Sequence, residues 1–348
     1  MGRASGVLGA ICVIIGGVIG VGFATGKEIL LFFHGANAYV IGCTIFVLLA
    51  SLTFLFLYCA RTYCVFNTRQ LFGRLFGKFY FLPDWLLIFS YYALMSTMLA
   101  GANLCLCGLF NMSDRLPVFS LATAVICGWV LTHNMNGLKA LNIIIVPFII
   151  IFVLFVTFMG EYAQGVITVK NTFSYSCFNV FMMCGILLPL AQDMSIKQCL
   201  ISAIVSAFIL SLLLTLILIA INNDYYANLS MPLIYLAKEK NHTLFVMSSI
   251  VLYLAIVTTL VANAFPLIDR VYAMTDSKFL SVFIVMSCGL VTSLFGFERI
   301  VDTLYPFMAQ LGTAIIVIMT AFLLKDKITA IIKHKGSCRQ KKTPATHI

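Results

Sequence analysis

Apolar residues fill this chain in long runs broken by short polar stretches, near 6–34, 38–61, 84–110, 117–132, 139–160, 173–192, 198–222, 243–268, 278–297 and 301–324. A helix needs about 20 apolar residues to cross a bilayer, so the pattern predicts ten transmembrane helices. The fourth run is short, and the sixth carries Asn179, Gly185 and Pro189. The first is interrupted more sharply, because Ile19-Gly20-Val21-Gly22-Phe23-Ala24-Thr25-Gly26 leads straight into two charges, Lys27 and Glu28. Glycine weakens a helix, and hydrocarbon tolerates freed backbone groups only where they line a protein cavity. The pattern predicts non-helical backbone within Gly20 to Thr25 and a second break near Ser176 to Asn179, where Ser174-Tyr175-Ser176-Cys177-Phe178-Asn179 is unusually polar. Secondary transporters build binding sites near the bilayer midplane from such discontinuous helices.

Composition agrees with that reading. Of 348 residues, 62% are hydrophobic and 10% charged, against about 25% charged in soluble domains. The fold class expected is therefore an all-α polytopic membrane protein. Arg3 precedes an apolar run that reaches the glycine-rich break without a small-residue cleavage site, so the first helix is expected to serve as its own targeting signal. The 12 cysteines are scattered through apolar stretches without paired CxxC spacing, and they read as small buried hydrophobes rather than disulfides or metal ligands. No nucleotide-binding or nucleophile motif is present, so an enzyme is not expected.

Charge sets the orientation. With the N-terminus inside, the cytoplasmic side carries Arg3, then Arg61, Arg69, Arg74 and Lys78, then Lys139, Lys197, Arg270 and Lys278, and a run from Lys325 to Lys342. The outer side holds only Arg115, Lys170, Lys238, Lys240 and Arg299. Both termini are then cytoplasmic in the cell membrane, by the positive-inside rule. The net charge of +10 reads as a topology signal and a contact with anionic lipid, with no nucleic acid involved. Residues 1–324 form one transmembrane domain, and 325–348 form a basic cytoplasmic tail. Helices one to five, about 6–160, and six to ten, about 173–324, are of similar length. Five being odd, the second half runs inverted, which makes a 5+5 inverted repeat with broken helices 1 and 6.

Several stretches resemble one family in order along the whole chain. Ile19 to Ile29 resembles the first-helix signature of the YkvI-type membrane proteins, a branch of the amino acid-polyamine-organocation superfamily with the leucine-transporter fold. Phe178-Asn179 with Leu187-Leu188-Pro189-Leu190 resembles that family's sixth helix, and Met231 to Ala237 resembles its outer loop before helix eight. Ala255-Ile256-Val257-Thr258-Thr259 resembles its eighth helix, and Tyr305-Pro306-Phe307 with Gly312 its tenth. The family usually has Gln where Lys27 stands here. The resemblance implies alternating access, with helices one, two, six and seven rocking against three, four, eight and nine.

The solute site is expected at Gly20, Gly22, Phe23, Ala24, Thr25, Gly26, Tyr175, Phe178 and Asn179. A half-helix beginning after Gly26 would direct free N–H groups at a carboxylate, and one ending near Gly20 would offer carbonyls to a cation. Resemblance to sodium-coupled members of the fold implies a Na⁺ site from the side chains of Thr258 and Thr259 and the carbonyls of Gly16, Ile19 and Ala255; alternatively the hydroxyls bond only their own helix. Lys27 and Glu28 are read either as an outer gate, pairing with Glu298, Arg299 and Asp302, or as solvated charges. Asp84, Asp193, Asp269 and Arg270 are read as solvated or topology residues. The function expected is secondary active transport of a small, amino-acid-like solute, coupled to Na⁺. Two alternatives stand beside it: a non-transporting ligand sensor resembling germinant-receptor membrane subunits, and a proton-coupled transporter. The absence of a cationic residue between Asn142 and Met159 favours Na⁺ over the latter. Oligomeric state is left open.

Overall fold

A computed structural model describes the backbone of residues 3–114, 116–133, 136–157 and 165–340, and the side chains of 6–114, 116–132, 145–157 and 165–323. Arg115, the side chains of His133, Lys139 and the tail from Lys325, and all of 341–348 lie outside the described residues. In chain order the helices are α1 (Arg3–Val18), α2 (Val21–Thr25), α3 (Lys27–Phe33), α4 (Ala38–Thr62), α5 (Thr68–Phe76), α6 (Phe81–Phe110), α7 (Val118–His133) and α8 (Asn136–Thr157). There follow α9 (Thr172–Met182), α10 (Cys184–Gln192), α11 (Ile196–Ile221), α12 (Asp224–Ala227), α13 (Pro232–Lys240), α14 (His242–Thr275), α15 (Lys278–Ser293) and α16 (Phe297–Gln340). Among the described residues β-pairing is limited to a bridge between Ala36 and Val166.

Local chemistry sets where these helices start and stop. Asn37, Asn67, Asn223, Asn241 and Ser277 each accept backbone amides in the first turn of the helix they precede. Ser195 and Gln198 form a reciprocal capping box at the start of α11. Such caps satisfy the amide donors that a helix leaves free at its start. At the other end, Asn111 and Asp276 adopt left-handed backbone with φ of 51° and 50°, turning the chain out of α6 and α14.

Five helices, α4, α6, α11, α14 and α16 over Phe297–Leu323, are long and apolar enough to cross a membrane, and α9 with α10 makes a sixth such span bent by 61°. Apolar segments of α1, α7, α8 and α15 are shorter. Trp85, Trp129, Phe148 and Phe208 are exposed on the outer surface, which suits hydrocarbon rather than water. The tenth run extends beyond its expected limits, since α16 starts at Phe297 and its backbone stays helical to Gln340.

Packing follows a repeated pattern. Helix α4 packs on α11, and α6 on α14. The contacts of α1 with α8 and α11 are matched by those of α9 with α16 and of α9 and α10 with α4. Likewise α6 with α7 is matched by α14 with α15, and α7 with α14 by α15 with α6. The loops gather at two ends. At one, Asn222 holds Gly35 and Ala36; at the other, Arg61 donates to the Gln192 carbonyl at 2.6 Å and Gln192 to the carbonyls of Ala60 and Val65.

Two of the charges expected in solvent lie instead inside that second end. Asp84, 4% exposed, receives Arg270 at 2.5 Å, Thr68 at 3.2 Å and Arg69 at 3.5 Å. The physical reason is compensation: a buried carboxylate persists where ion pairing and hydrogen bonding replace its water. Arg270 thereby ties α14 to the start of α6. Removing one partner of a buried pair costs about 3–5 kcal/mol, and Arg270→Leu should fall at the low end because Arg69 remains. Thermal unfolding in detergent should show that loss and a partial recovery on adding Asp84→Asn; an Arg270→Leu protein as stable as wild type would contradict the assignment.

Candidate functional site

The first span is broken twice. Ile19 and Gly20 lie outside any helix, and the Gly20 amide bonds Val18 O at 2.8 Å instead of continuing the ladder back to Gly16. The Gly20 carbonyl then opens α2 by accepting Ala24 N at 2.9 Å. After only five residues, Gly26 takes φ 80° and ψ −6°, a left-handed conformation that a Cβ disfavours. A Cβ there would also lie 2.3 Å from Ile221 Cδ1. The Gly26 carbonyl accepts Leu30 N at 3.0 Å and begins α3. Thus the non-helical backbone at Gly20 agrees with the expectation, while Val21 to Thr25 is a short helix of its own.

The second break is elsewhere than expected. Ser176 donates to Thr172 O at 2.8 Å and Asn179 to Tyr175 O at 3.0 Å, so both close on their own helix and leave α9 continuous. The chain bends at Met183, between α9 and α10. Pro189, with no N–H, cannot bond the Gly185 carbonyl four residues back, and the Gly185 amide is held by the Tyr91 hydroxyl at 2.9 Å. Glycine and proline decide the position, and the hydroxyls do not.

At the first break, oxygens converge. The Thr259 hydroxyl lies 3.0 Å from Ile19 O and 2.9 Å from Ala255 O, and Thr258 donates to Ala255 O at 3.0 Å. A hydroxyl carries one proton, so Thr259 can donate to only one of its two carbonyls at a time. Both threonines are buried, as is Gly16 in the last turn of α1. The structure therefore joins Ile19, Ala255, Thr258 and Thr259 through contacts, and places Gly16 one turn before them. Among the described residues there is no cluster of three His, Cys, Asp or Glu side chains; this constellation is of neutral oxygens.

The carboxyl of Glu28 folds back over Gly22, where a Cβ would be 2.8 Å from Glu28 Oε2 and 3.2 Å from the Tyr305 ring. It lies beside Tyr175 and Asn179. Glu28 is 4% exposed; its Oε1 and the Tyr175 hydroxyl form no hydrogen bond of good geometry, although Tyr175 and Asn179 both stand within interaction distance of the carboxyl. Aromatic rings surround them: Tyr175 meets Phe32 and Phe33 edge-on at 5.3 and 5.1 Å, and Phe178 lies 5.4 Å from Tyr305 and 6.5 Å from Phe32. Gly22, Tyr175, Phe178 and Asn179 thus share one site. Phe23 is buried in the core, Ala24 faces α8, α13 and α14, and the Thr25 hydroxyl is taken by Gly22 O at 3.2 Å. Phe32 and Phe33 had no place in the sequence reading, and their signal was spacing, since they lie one turn beyond Glu28; Tyr305 entered only through the tenth-helix resemblance.

Burial of Lys27 and Glu28 removes the solvated reading of both. Lys27 Nζ donates to Ala227 O at 3.4 Å, whereas Asp302 is exposed and Glu298 bonds Ser230. Among the described residues neither Lys27 nor Glu28 pairs with Glu298, Arg299 or Asp302. Two cavities lie toward opposite ends of α6. One, about 390 Å³, is lined by Ala100, Asn103, Asp114, Ser230, Glu298 and Arg299; the other, about 380 Å³, by Tyr91, Gly185, Pro189, Ala262, Asp269 and Arg270. Along α6, Tyr91 and Ala100 are about 14 Å apart, and Met95 and Met98 fill the interval.

No family model matches the chain. It is 24% identical over 330 residues to the uncharacterized membrane protein YkvI of Bacillus subtilis, covering 87% of this chain and 92% of that one. Its fold is that of Mhp1, a nucleobase-cation-symport-1 family transporter solved closed with bromovinylhydantoin bound, at TM-score 0.64 and 10% identity over 90% of this chain and 76% of that one. It is equally that of MhsT, solved with L-phenylalanine, at TM-score 0.59 and 13% identity over 91% and 88%. The chain is an all-helical, multi-pass membrane protein similar to YkvI, with the fold of leucine-transporter-type carriers.

The two threonines should behave differently on mutation. Thr259→Val removes the hydroxyl that joins α14 to the break and leaves Ile19 O without it, at a cost of about 1–3 kcal/mol. Thr258→Val removes a bond within α14 alone and should cost less. Thermal unfolding of the purified variants measures the difference, and equal losses would count against the bridge.

Proposed function

We propose that this protein is a secondary active transporter of a small, amino-acid-like organic solute, coupled to Na⁺ by alternating access. The observation that carries the proposal is the Thr259 contact, which sets two backbone carbonyls from separate elements, Ile19 and Ala255, around one hydroxyl at the break. Hydroxyls and backbone carbonyls converging where the first span is broken offer neutral oxygens suited to a weakly bound monovalent cation, which would turn the two hydroxyl protons away from Ile19 O and Ala255 O. In this reading Gly16 and Thr258 complete the ion's ligands, and the solute lies between α2 and α9. The fold shared with a cation-symport transporter and with a protein solved with an amino acid supports it. Separate cavities at the two ends of α6 support transport over sensing, because a sensor needs only one entrance.

The ten-span architecture belongs to the same proposal. Taking α1, α2 and α3 as span one and α9 with α10 as span six, the packing pattern is nearly unchanged when each span is exchanged for the one five later, as an inverted repeat requires. Both termini are placed in the cytoplasm by the positive charge on the loops. YkvI is a membrane protein and Mhp1 a transporter, which supports transport over enzyme function.

Na⁺ should strengthen solute binding through a coupling free energy of about 1–3 kcal/mol, or about 5–150-fold. Solute affinity across a Na⁺ titration at constant ionic strength measures it. Thr258→Val with Thr259→Val should remove the Na⁺ dependence; a wild type indifferent to Na⁺ would overturn the coupling. Separately, Gly22→Leu should abolish solute binding while the protein still inserts, because the added side chain meets Glu28 and Tyr305. Wild-type affinity in that variant would move the pocket elsewhere.

A further inference from the structure

The acidic group at the start of α3 is the protein's own. Glu28 stands in the first turn of α3 and its carboxyl returns over Gly22, so a ligand carboxylate placed there would meet a second carboxyl. Among the described residues no cation compensates Glu28. Lys27 turns away to Ala227 O, and among the described residues no ion pair includes Glu28. A buried carboxylate without a counter-charge costs several kcal/mol. Beside it the Tyr175 hydroxyl is likewise without a hydrogen bond of good geometry, the two groups and Asn179 being near neighbours. Two buried oxygens with unspent hydrogen-bonding capacity thus lie together within an aromatic enclosure made by Phe32, Phe33, Tyr175, Phe178 and Tyr305.

Each of these features suits one chemical class. An alkylammonium has three N–H donors, which Glu28 Oε1 and the Tyr175 hydroxyl can share. Its charge is attracted to aromatic faces, and its hydrocarbon body matches the apolar ring walls. An organic anion matches only the ring walls, and a strongly hydrated sugar offers donors without the charge or the hydrocarbon body.

We propose that Glu28 and Tyr175 receive the protonated amine of the solute, so that this site takes small primary amines and amino compounds and rejects compounds bearing a carboxylate alone. The assignment rests on the placement of the solute between α2 and α9 in the transporter reading. It goes further by fixing which end of the solute faces α3.

Matched probes test it on the full chain in detergent: phenethylamine, L-phenylalanine and hydrocinnamate, then butylamine and butyrate, with affinity read from thermal shifts and calorimetry. The amines and the amino acid should stabilise wild type, and the two carboxylates should not. E28Q keeps the shape and removes the charge, so it should fold and lose about 10–100-fold in amine affinity, the worth of a hydrogen bond to a charged group. E28D, a second variant, should restore part of it. Wild-type affinity for amines should fall as pH is lowered, because a proton and an ammonium compete for one carboxylate. E28Q should lack that slope; the phenols of Tyr175 and Tyr305, and Lys27 beside Glu28 in sequence, are the other titratable groups around the carboxyl. Carboxylates binding as well as amines, E28Q binding amines at wild-type affinity, or no amine producing a shift would each overturn the assignment. A Na⁺ titration separates this from the transport reading. Carboxylate binding strengthened by Na⁺ would remove the Glu28 assignment and leave coupling intact. Amine binding that needs Glu28 but ignores Na⁺, with no uptake into proteoliposomes, would leave the assignment and remove coupled transport.

Discussion

Hydrocarbon offers no hydrogen bonds, so every backbone amide and carbonyl inside this bundle must find a partner within the protein. That constraint bears hardest on the two interrupted spans. At the first, Gly20 redirects its amide to Val18, the Ile19 carbonyl meets Thr259, and Gly26 turns the chain so that its amide reaches Phe23. At the second, Tyr91 reaches from α6 to hold the Gly185 amide. Each break is thus stitched to a neighbouring long helix, α14 or α6. Those two helices pack against each other and are further tied by Arg270 and Asp84. The interruptions are tolerated because a fixed pair of helices supplies what they lack, and that dependence places them where two elements can share a ligand.

Much of the architecture was legible because membrane helices announce themselves by length and apolarity, and because glycine has a direct backbone consequence. Gly20 and Gly26 marked the first interruption, and both ends of α2 fall at them. The second interruption was misplaced because polar residues were read as helix-breaking. In hydrocarbon a serine or asparagine side chain closes on the preceding turn of its own helix, as Ser176 and Asn179 do, and leaves the backbone helical. Gly185 with Pro189 was the better signal, since a missing amide cannot be supplied by any side-chain rearrangement.

Charges were read least well, and for one reason. Position near a helix end suggests solvent, but burial of a charge depends on partners far away in sequence. Arg270 stands 186 residues from Asp84, and Ala227 stands 200 from Lys27. Glu28 is harder still: its burial follows from a backbone path through Gly26 that aims α3 so that the side chain returns toward Gly22. No periodicity encodes that return. Thr259 lay between these extremes, because adjacent threonines in an apolar helix have a self-satisfying explanation, and only the contact with Ile19 separates it from Thr258.

The two halves of the proposed site are joined by α2 itself. This helix has five residues, about 7.5 Å in length, with a glycine at each boundary. Its first boundary is the constellation of neutral oxygens around Thr259, and the glycine at its second position, Gly22, lies under the Glu28 carboxyl. A helix so short has little room to bend, since nearly all of its backbone bonds belong to one turn. Displacement of either boundary therefore moves the other as a rigid piece, with Gly20 and Gly26 absorbing the change in dihedral angles. An ion that draws Ile19 toward α14 would then reposition Gly22 against Glu28 and Tyr305 without any long pathway. Coupling between ligands requires that both bias the same element, and α2 is the element within reach of both.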